Sequence, residues 1–322
     1  MEEKSIFEQD EQFSSLVKSA KRKSLKRTIV VSVIVTAITL FLLWALLYIS
    51  IYFMYERMEA QIEESYESNY FLGANVETLG TSYDHFFVAG TTTTSFYKQV
   101  GPHLIDWNTS KHFYTILGTK TIMQTGNAFG VNNQMYQNNQ QLMSFHIPEE
   151  ETSKNDLDYI KALPDYYNIE VAVSFKEELS LEEMWEHFPT AQWAWIIQNG
   201  LRNNIAEEKK RDEEMKKESG NNFPPFLETD YSEIYEFNAY GLPIIRNDFI
   251  TNNPYESAQI YKDQANFIKG YEAEIMRQTI GDISVEDWKV AGVVLTGKQA
   301  DILPYLQQND VRTVRIGVVV PY

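Results

Sequence analysis

An uncharged run of 27 residues, Thr28 to Met54, constrains this chain more than any other feature. As an α-helix it would be about 40 Å long, which exceeds the roughly 30 Å hydrocarbon layer of a bilayer. The run is too long for the apolar core of a cleaved signal peptide, and no small-x-small cleavage site follows it. The sequence therefore predicts a retained transmembrane helix over residues 28–54.

The charges that flank this run predict its orientation. Basic residues precede it, whereas acidic residues such as Glu56 and Glu59 follow it together with Arg57. Because positive charge is retained on the cytoplasmic side, we expect a single-pass cell-membrane protein with a cytoplasmic N-terminus and an extracellular C-terminal region. The membrane-flanking basic residues are Lys18, Lys21, Arg22, Lys23, Lys26 and Arg27.

Residues 1–27 carry an apolar stripe that has no core of its own to bury it. Five apolar side chains fall within about 100° of one another on a helical wheel. Such a stripe binds either another protein or the bilayer surface, and the acidic residues of 1–11 disfavour anionic lipid. We predict partner binding, and an interfacial or unstructured tail is the open alternative. The apolar stripe consists of Ile6, Phe13, Leu16, Val17 and Ala20.

Composition argues against several classes of function. A formal net charge of −17 opposes direct binding to nucleic acid. The chain has no cysteine, which excludes zinc sites built from cysteine thiolates, and its five histidines form no HExxH motif. We therefore expect no metal, no cofactor and no direct contact with nucleic acid.

Three groups of residues suggest catalysis or ion binding, but each lacks part of the required pattern. The first is a hydroxyl beside an Asp-His pair, without a GxSxG nucleophile elbow. The second is a pair of adjacent glutamates on a predicted helix, where neighbours point about 100° apart. The third resembles the start of a calcium loop without its glycine and closing glutamate. We assign no catalytic residue and expect no enzyme. The groups are Ser82, Asp84 and His85; Glu182 and Glu183; Asp156 and Asp158.

The predicted membrane-proximal unit, residues 55–150, is rich in strand-forming residues. Residues 55–68 continue the helix, after which the composition shifts to Thr, Tyr, Phe, Gly and Asn. We interpret the Gln/Asn-rich stretch 131–141 as an exposed loop. The predicted strands of this small antiparallel region cover 70–79, 85–97 and 113–124.

The predicted C-terminal domain, residues 151–322, contains two strand–helix–strand units. The first helix opens with a capping box at Ser180 and Glu183 and ends before Pro189. The second helix is predicted to start from Thr296. Two such units meet the requirement of a ferredoxin-like, split βαβ sandwich of α+β class, with separate sheets as the alternative. The units cover strand 168–175, a helix to Phe188 and strand 191–198, then strand 288–296, helix 298–308 and strand 312–320.

Between these units, residues 200–286 are predicted to form a helical insertion. Residues 203–218 carry oppositely charged side chains at i,i+4 spacing, which is typical of an exposed helix. Asn253 and Pro254 then predict the start of one long helix that ends at Gly281.

Both ends of the chain resemble bacterial sigma-factor regulators. The segments KSAKRKSLKRTIVVSVIV and NYFLGANVET resemble their N-terminal region, and VAVSFKEELSLEEM and VAGVVLTGKQADILPYLQQNDVRTVRIGVVVPY resemble their C-terminal region, leaving 200–285 unmatched. These regulators are membrane-anchored anti-sigma factors for extracytoplasmic-function sigma factors, and the chain is most similar to the anti-sigma-M group.

The resemblance implies that the cytoplasmic segment 1–27 sequesters a sigma factor while the outer domain senses the state of the envelope. In family terms, the apolar stripe supplies the contact residues. The segment is too short for the folded cytoplasmic domain of many anti-sigma factors, so the binding surface is expected to be small or shared with a second small membrane protein. The alternative is a surface-anchored binding module for wall glycan or peptide, without signalling.

Overall fold

A computed structural model of the chain describes residues 6–118, 120–125, 129–131, 134–148, 152, 154–219, 231–244 and 253–321. These residues form both helices and strands. The predicted α+β class with an apolar N-terminal helix is confirmed at this level. The helices are α1 Ile6–Phe71, α2 Leu157–Ala162, α3 Leu181–His187, α4 Leu201–Ser219, α5 Pro254–Phe267, α6 Tyr271–Ile280 and α7 Gln299–Leu306. The strands in the first half are β1 Glu77–His85, β2 Ala89–Val100, β3 His103–Thr115, β4 Lys120–Thr125, β5 Phe129–Val131, β6 Gln134–Gln137, β7 Gln140–Gln141 and β8 Ser144–His146. Those in the second half are β9 Asn168–Ser180, β10 Ala191–Trp195, β11 Glu233–Tyr235, β12 Gly241–Pro243, β13 Lys289–Lys298 and β14 Val311–Val320.

The first helix, α1, runs without interruption for 66 residues. Its segment Phe13–Ala60 is, among the described residues, the one span long and apolar enough to cross a membrane, and its most apolar window is not buried in the protein. The chain has no glycine or proline between Ile6 and Phe71, so α1 lacks the residues that most often kink a helix.

The helix ends three residues later than predicted because its last turn is packed. Tyr70 and Phe71 were predicted to start a strand, which is wrong. Their rings lie 5.8 and 5.2 Å from the ring of Tyr261 in α5. This tertiary contact holds both residues in the helix, and the first strand begins only at Glu77.

A four-stranded antiparallel sheet with the order β1-β2-β3-β4 follows α1. The predicted strands were misplaced here, since the chain turns at residues 86–88, where we predicted a strand, and again at 116–118. α1 packs on the sheet through a small cluster of Met54, Met58 and Tyr114. The stretch predicted as an exposed loop at 131–141 instead contributes to a three-stranded sheet, β5-β6-β7.

A five-stranded antiparallel sheet forms the centre of the C-terminal region. Its strand order is β12-β10-β13-β9-β14, and α3 follows β9 as α7 follows β13. One sheet face carries Val171 and Val173 and packs on helices α3, α5, α6 and α7. The opposite face carries Trp193 and Trp195, and both contact Phe145 of β8.

Two helix predictions in this region were wrong. The helix predicted from Asn253 to Gly281 is broken between α5 and α6, because the backbone at Ile268 is extended and the Arg277 side chain donates to the carbonyls of Ala265 and Ile268. Those carbonyls end α5 and would otherwise lack a helical donor. The predicted start at Thr296 was also wrong, since β13 continues to Lys298.

The predicted capping box at the start of α3 is present. The Glu183 amide donates to the Ser180 hydroxyl at 3.2 Å, and the Ser180 amide donates to the Glu183 carboxylate at 2.8 Å. The two bonds satisfy two backbone N–H groups that have no helical acceptor at the start of a helix.

We expect Ser180→Ala to lower the free energy of unfolding by about 1 kcal/mol, because it removes the hydroxyl that caps α3. The change is measured by urea unfolding of the full chain in detergent micelles. Thr190→Ala, at an exposed position just beyond α3, is the control and should change stability less. Equal effects of the two substitutions would contradict the capping role.

Candidate functional site

The apolar stripe lies on the first turns of α1 and is open to solvent. Phe13 is 68% exposed and Leu16 67% exposed, and Val17 and Ala20 are exposed as well. The side chain of Ile6 lies outside the described part of the structure. The four described side chains share one face of the helix, which makes that face available to a groove on another protein.

The six predicted membrane-flanking basic residues occupy the turns between the apolar stripe and the uncharged run. All of them are exposed on α1. Lys and Arg at this position suit contact with lipid headgroups. The structure therefore keeps the stripe and the basic segment on a single helix. These residues are Lys18, Lys21, Arg22, Lys23, Lys26 and Arg27.

At its other end, α1 leads directly into a buried charged cluster, formed by Lys98, Glu170 and Glu236. The Lys98 ammonium lies 3.0 Å from Glu170 and 2.8 Å from Glu236, and all three side chains are at most 1% exposed. The same ammonium lies 3.9 Å from the ring centroid of Trp107. Such a cation–π contact adds to the attraction when both partners are desolvated.

Backbone and amide groups satisfy the two carboxylates of this cluster. Asn75 donates its amide to Glu170 at 2.7 Å, and the Val318 amide donates to the same side chain at 3.3 Å. The Met143 amide donates to Glu236 at 3.0 Å. A buried carboxylate needs such donors because it has lost its hydration.

The charged cluster joins three parts of the fold. Lys98 belongs to β2 of the four-stranded sheet, Glu170 belongs to β9 of the five-stranded sheet, and Glu236 starts a 3₁₀ turn after β11. Asn75 lies four residues after the end of α1. Movement of α1 along or about its axis would therefore act on the hydrogen bond between Asn75 and Glu170.

Burial raises the pKa of Glu236 to about 7. Loss of hydration is the largest cause, the negative charge of Glu170 adds to it, and Lys98 opposes it. One ammonium group faces two carboxylates here, so the second carboxylate is only partly compensated. The charge of this cluster consequently changes near neutral pH.

Sequence reasoning missed this cluster, although one signal pointed to it. Along β2 the inward positions alternate, and Thr94, Phe96, Lys98 and Val100 are buried. A lysine in register with Phe96 and Val100 is an inward-facing charge by the period of two. The partners Glu170 and Glu236 gave no comparable signal, because they lie far away in sequence.

The residues considered for catalysis or ion binding pair with a buried group, cap a helix or lie along a strand. Asp156 pairs with the buried Arg315 at 2.9 Å and accepts from the Ile316 amide at 2.9 Å. Glu183 caps α3. Ser82, Asp84 and His85 lie along β1. Within the residues that the structure describes, no group of three or more Asp, Glu or His side chains is placed to hold a metal ion.

Two open clefts are lined by described residues, and the smaller one borders the charged cluster through Asn75. The larger has a volume of about 480 Å³ and is lined by polar side chains that include Gln198, Asn199 and Asp282. The smaller, about 300 Å³, lies between the end of α1 at Tyr70 and strands β10 and β12 of the five-stranded sheet at Trp193 and Pro243.

The C-terminal region has a counterpart among known families. Residues 160–318, just under half of the chain, match the family described as the C-terminal region of sigma factor regulators. This part of the chain is similar to the C-terminal region of sigma factor regulators. This match supports a sigma-regulating role and implies a sigma factor as partner. No curated protein and no solved structure matches the chain.

The matched range corrects one expectation from the sequence. It includes residues 200–285, for which no resemblance was expected. Part of that range forms α4, the edge strand β12 and helices α5 and α6, and the two helices pack on the sheet through Tyr261 and Met276. These elements thus belong to the core of the regulator region.

We expect Lys98→Met to destabilise the protein by about 3–5 kcal/mol, because it leaves two buried carboxylates without a cation. Urea unfolding of the full chain in detergent micelles measures the loss. The matched control is Lys176→Met at an exposed position of β9. A loss at Lys98 no larger than that at Lys176 would rule out a stabilising role for the cluster.

The raised pKa of Glu236 predicts a dependence of stability on pH. Between the ordinary carboxyl value of 4.5 and about 7, the folded protein binds a proton that the unfolded chain releases. The contribution of this group to stability is therefore fully present below pH 4.5 and is lost as pH rises to about 7.

We expect Glu236→Gln to reduce the change in melting temperature between pH 5 and pH 8, because the amide does not titrate. Glu186→Gln removes the same charge from an exposed position of α3 and should leave the wild-type dependence in place. An unchanged pH dependence in Glu236→Gln would show that another group titrates.

Proposed function

We propose that this protein is a membrane-anchored anti-sigma factor for an extracytoplasmic-function sigma factor. Its N-terminal helix end lies in the cytoplasm and sequesters the sigma factor, and the region after Met54 lies outside and senses the envelope. The observation that carries the proposal is the combination of one apolar span in α1 with a sigma factor regulator C-terminal region in the same chain.

The exposed stripe on α1 supports the assignment of the sigma-binding surface. Phe13 and Leu16 are large, apolar and about two-thirds exposed. A helix that lays such side chains into an apolar groove can bind through a few anchors, because most interface energy comes from a small number of buried residues. Val17 and Ala20 extend the same face, and Ile6 belongs to it by sequence.

The basic residues after the stripe support the orientation. Six Lys or Arg side chains from Lys18 to Arg27 are exposed before the uncharged run, and cytoplasmic flanks are enriched in such residues. A sigma factor bound to the stripe would meet the membrane at this basic segment. The small size of the stripe leaves room for a second small membrane protein in the complex.

In this proposal the protein acts as a regulator and not as an enzyme. The five-stranded sheet supports a ferredoxin-like core, since β10, β13, β9 and β14 are adjacent in that order and antiparallel. Two strand–helix–strand units with this strand order fit a split βαβ arrangement. The outer region then supplies a rigid body to which a stimulus is applied.

Signal transfer is proposed to run along α1. The helix is continuous from the stripe to Phe71, and Asn75 beyond it bonds to the charged cluster. A helix without glycine or proline transmits displacement or rotation better than a jointed connection, because its backbone hydrogen bonds resist bending. A change around Lys98 would thereby reach the sigma-binding end.

We expect Phe13→Asp combined with Leu16→Asp in the full chain to abolish retention of the sigma factor, because two charges replace the apolar anchors. Co-purification with candidate small sigma factors measures retention, and expression of their target promoters should rise. The double mutant Ser15→Asp with Ser19→Asp is the control, since it adds the same charge on other faces of the helix.

Unchanged retention and unchanged transcription in the Phe13/Leu16 variant would refute the sigma-binding role of the stripe. The surface-anchored binding module is the second candidate, and it predicts a different outcome. For such a module, scrambling residues 1–17 while the basic flank is kept would have no consequence.

A further inference from the structure

The end of the four-stranded sheet that lies beside α1 carries an unusual group of exposed apolar side chains. The β1–β2 turn contains Phe86, Phe87 and Val88 in succession, and the β3–β4 turn contains Leu117. Phe86 is 77% exposed and Leu117 89% exposed. We call these four residues the apolar tip.

The two turns of the apolar tip are joined to each other. The Ile116 amide donates to the carbonyl of Val88 at 3.0 Å. Two loops that are separate in sequence therefore form one surface. Apolar groups that are adjacent, from two loops and open to solvent mark an interaction site more often than scattered exposed residues do.

Contacts with α1 fix the level of this tip along the helix. The Ser50 hydroxyl donates to the carbonyl of Phe87. Met54 and Met58 pack on Tyr114 and Ile116, at the end of β3 that leads into the second turn. The β1–β2 turn of the tip thus lies beside Ser50, four residues or about 6 Å inside the end of the uncharged run, and the β3–β4 turn lies beside Arg57, just outside it.

This level coincides with the boundary of the proposed membrane span. The uncharged run is about 40 Å long against roughly 30 Å of hydrocarbon, so a centred helix reaches the outer boundary a few residues before Met54. Tyr48 and Tyr52 lie on α1 at the same level, and both are exposed. Aromatic rings favour this interface.

The opposite end of the sheet faces the rest of the protein. β2 ends at Val100, which is fully buried, and the next residue, Gly101, lies against Asn168 at the start of β9. The sheet thereby stands between the helix at Ser50 and the five-stranded sheet. The exposed apolar tip and the end that is buried against the rest of the protein therefore lie at opposite ends of this sheet.

We infer that the apolar tip inserts into the outer leaflet of the bilayer that α1 crosses, so that the sheet β1–β4 is held on the membrane by a second contact. This inference rests on the proposed membrane placement of α1. The partner that the tip contacts is lipid, because the tip is continuous with the apolar surface of α1 at the level of Ser50.

The absence of cysteine in the chain allows a single label to be placed at will. Leu117→Cys and, in a separate chain, Phe86→Cys are labelled with an environment-sensitive fluorophore in the full-length protein. The protein is reconstituted into vesicles of phosphatidylcholine and phosphatidylglycerol. Quenching by a mixture of lipids that carry the nitroxide at shallow and at deep positions of the acyl chain then reports contact with the bilayer at any depth.

Two further positions calibrate the measurement. Leu42→Cys lies in the uncharged run and is 56% exposed, and Phe267→Cys lies at the end of α5 and is 83% exposed. We expect the labels at residues 117 and 86 to be quenched by nitroxide lipid about as strongly as the label at 42. The label at 267 should be quenched only by a water-soluble reagent.

Labels at 117 and 86 that behave like the label at 267 would overturn the inference while leaving α1 in the membrane. A blue-shifted label at 117 without lipid quenching would also overturn it, because it would place a second copy of the chain on the tip. Absence of lipid quenching at 42 would refute the membrane placement itself, and the inference with it.

Discussion

The ion contacts of Lys98 with Glu170 and Glu236 hold together the parts of this structure that differ most in character. One residue comes from the sheet beside α1, one from strand β9 of the five-stranded sheet, and one from the turn after β11. Burying three ionisable groups is costly unless they are paired and bonded. These three groups therefore serve to fix how the parts of the structure pack together, since few other packings satisfy all of them.

The position of this cluster relates it to function. Asn75 connects Glu170 to the end of α1, whose other end carries the stripe proposed to bind the sigma factor. The pKa of Glu236 is about 7, so this carboxyl group makes the junction between α1 and the charged cluster sensitive to pH. With the apolar tip on the bilayer, the four-stranded sheet would contact lipid, helix and the regulator region at once.

Some elements were predictable because their causes are local. The uncharged run, the capping box at Ser180 and the paired faces of Trp193 and Trp195 follow from composition, backbone donors and the period of two. The strands around residues 85–97 were misplaced, because only pairing with β1 and β3 decides where β2 begins. The break at Ile268 was missed, because the Arg277 side chain that permits it comes from the next helix.

The sequence by itself determined an apolar run long enough to cross a membrane, the mixed helix-and-strand class of the fold and the apolar stripe, since each depends on hydrophobicity within one segment. Tertiary structure alone decided which buried charges meet and which loops lie beside Ser50. Those contacts join residues that are 37 to 138 positions apart, and no local pattern encodes a partner at that distance. The physical reason is that the partners of a buried charge, and the surface beside an exposed loop, come from distant parts of the sequence and are brought together only by folding.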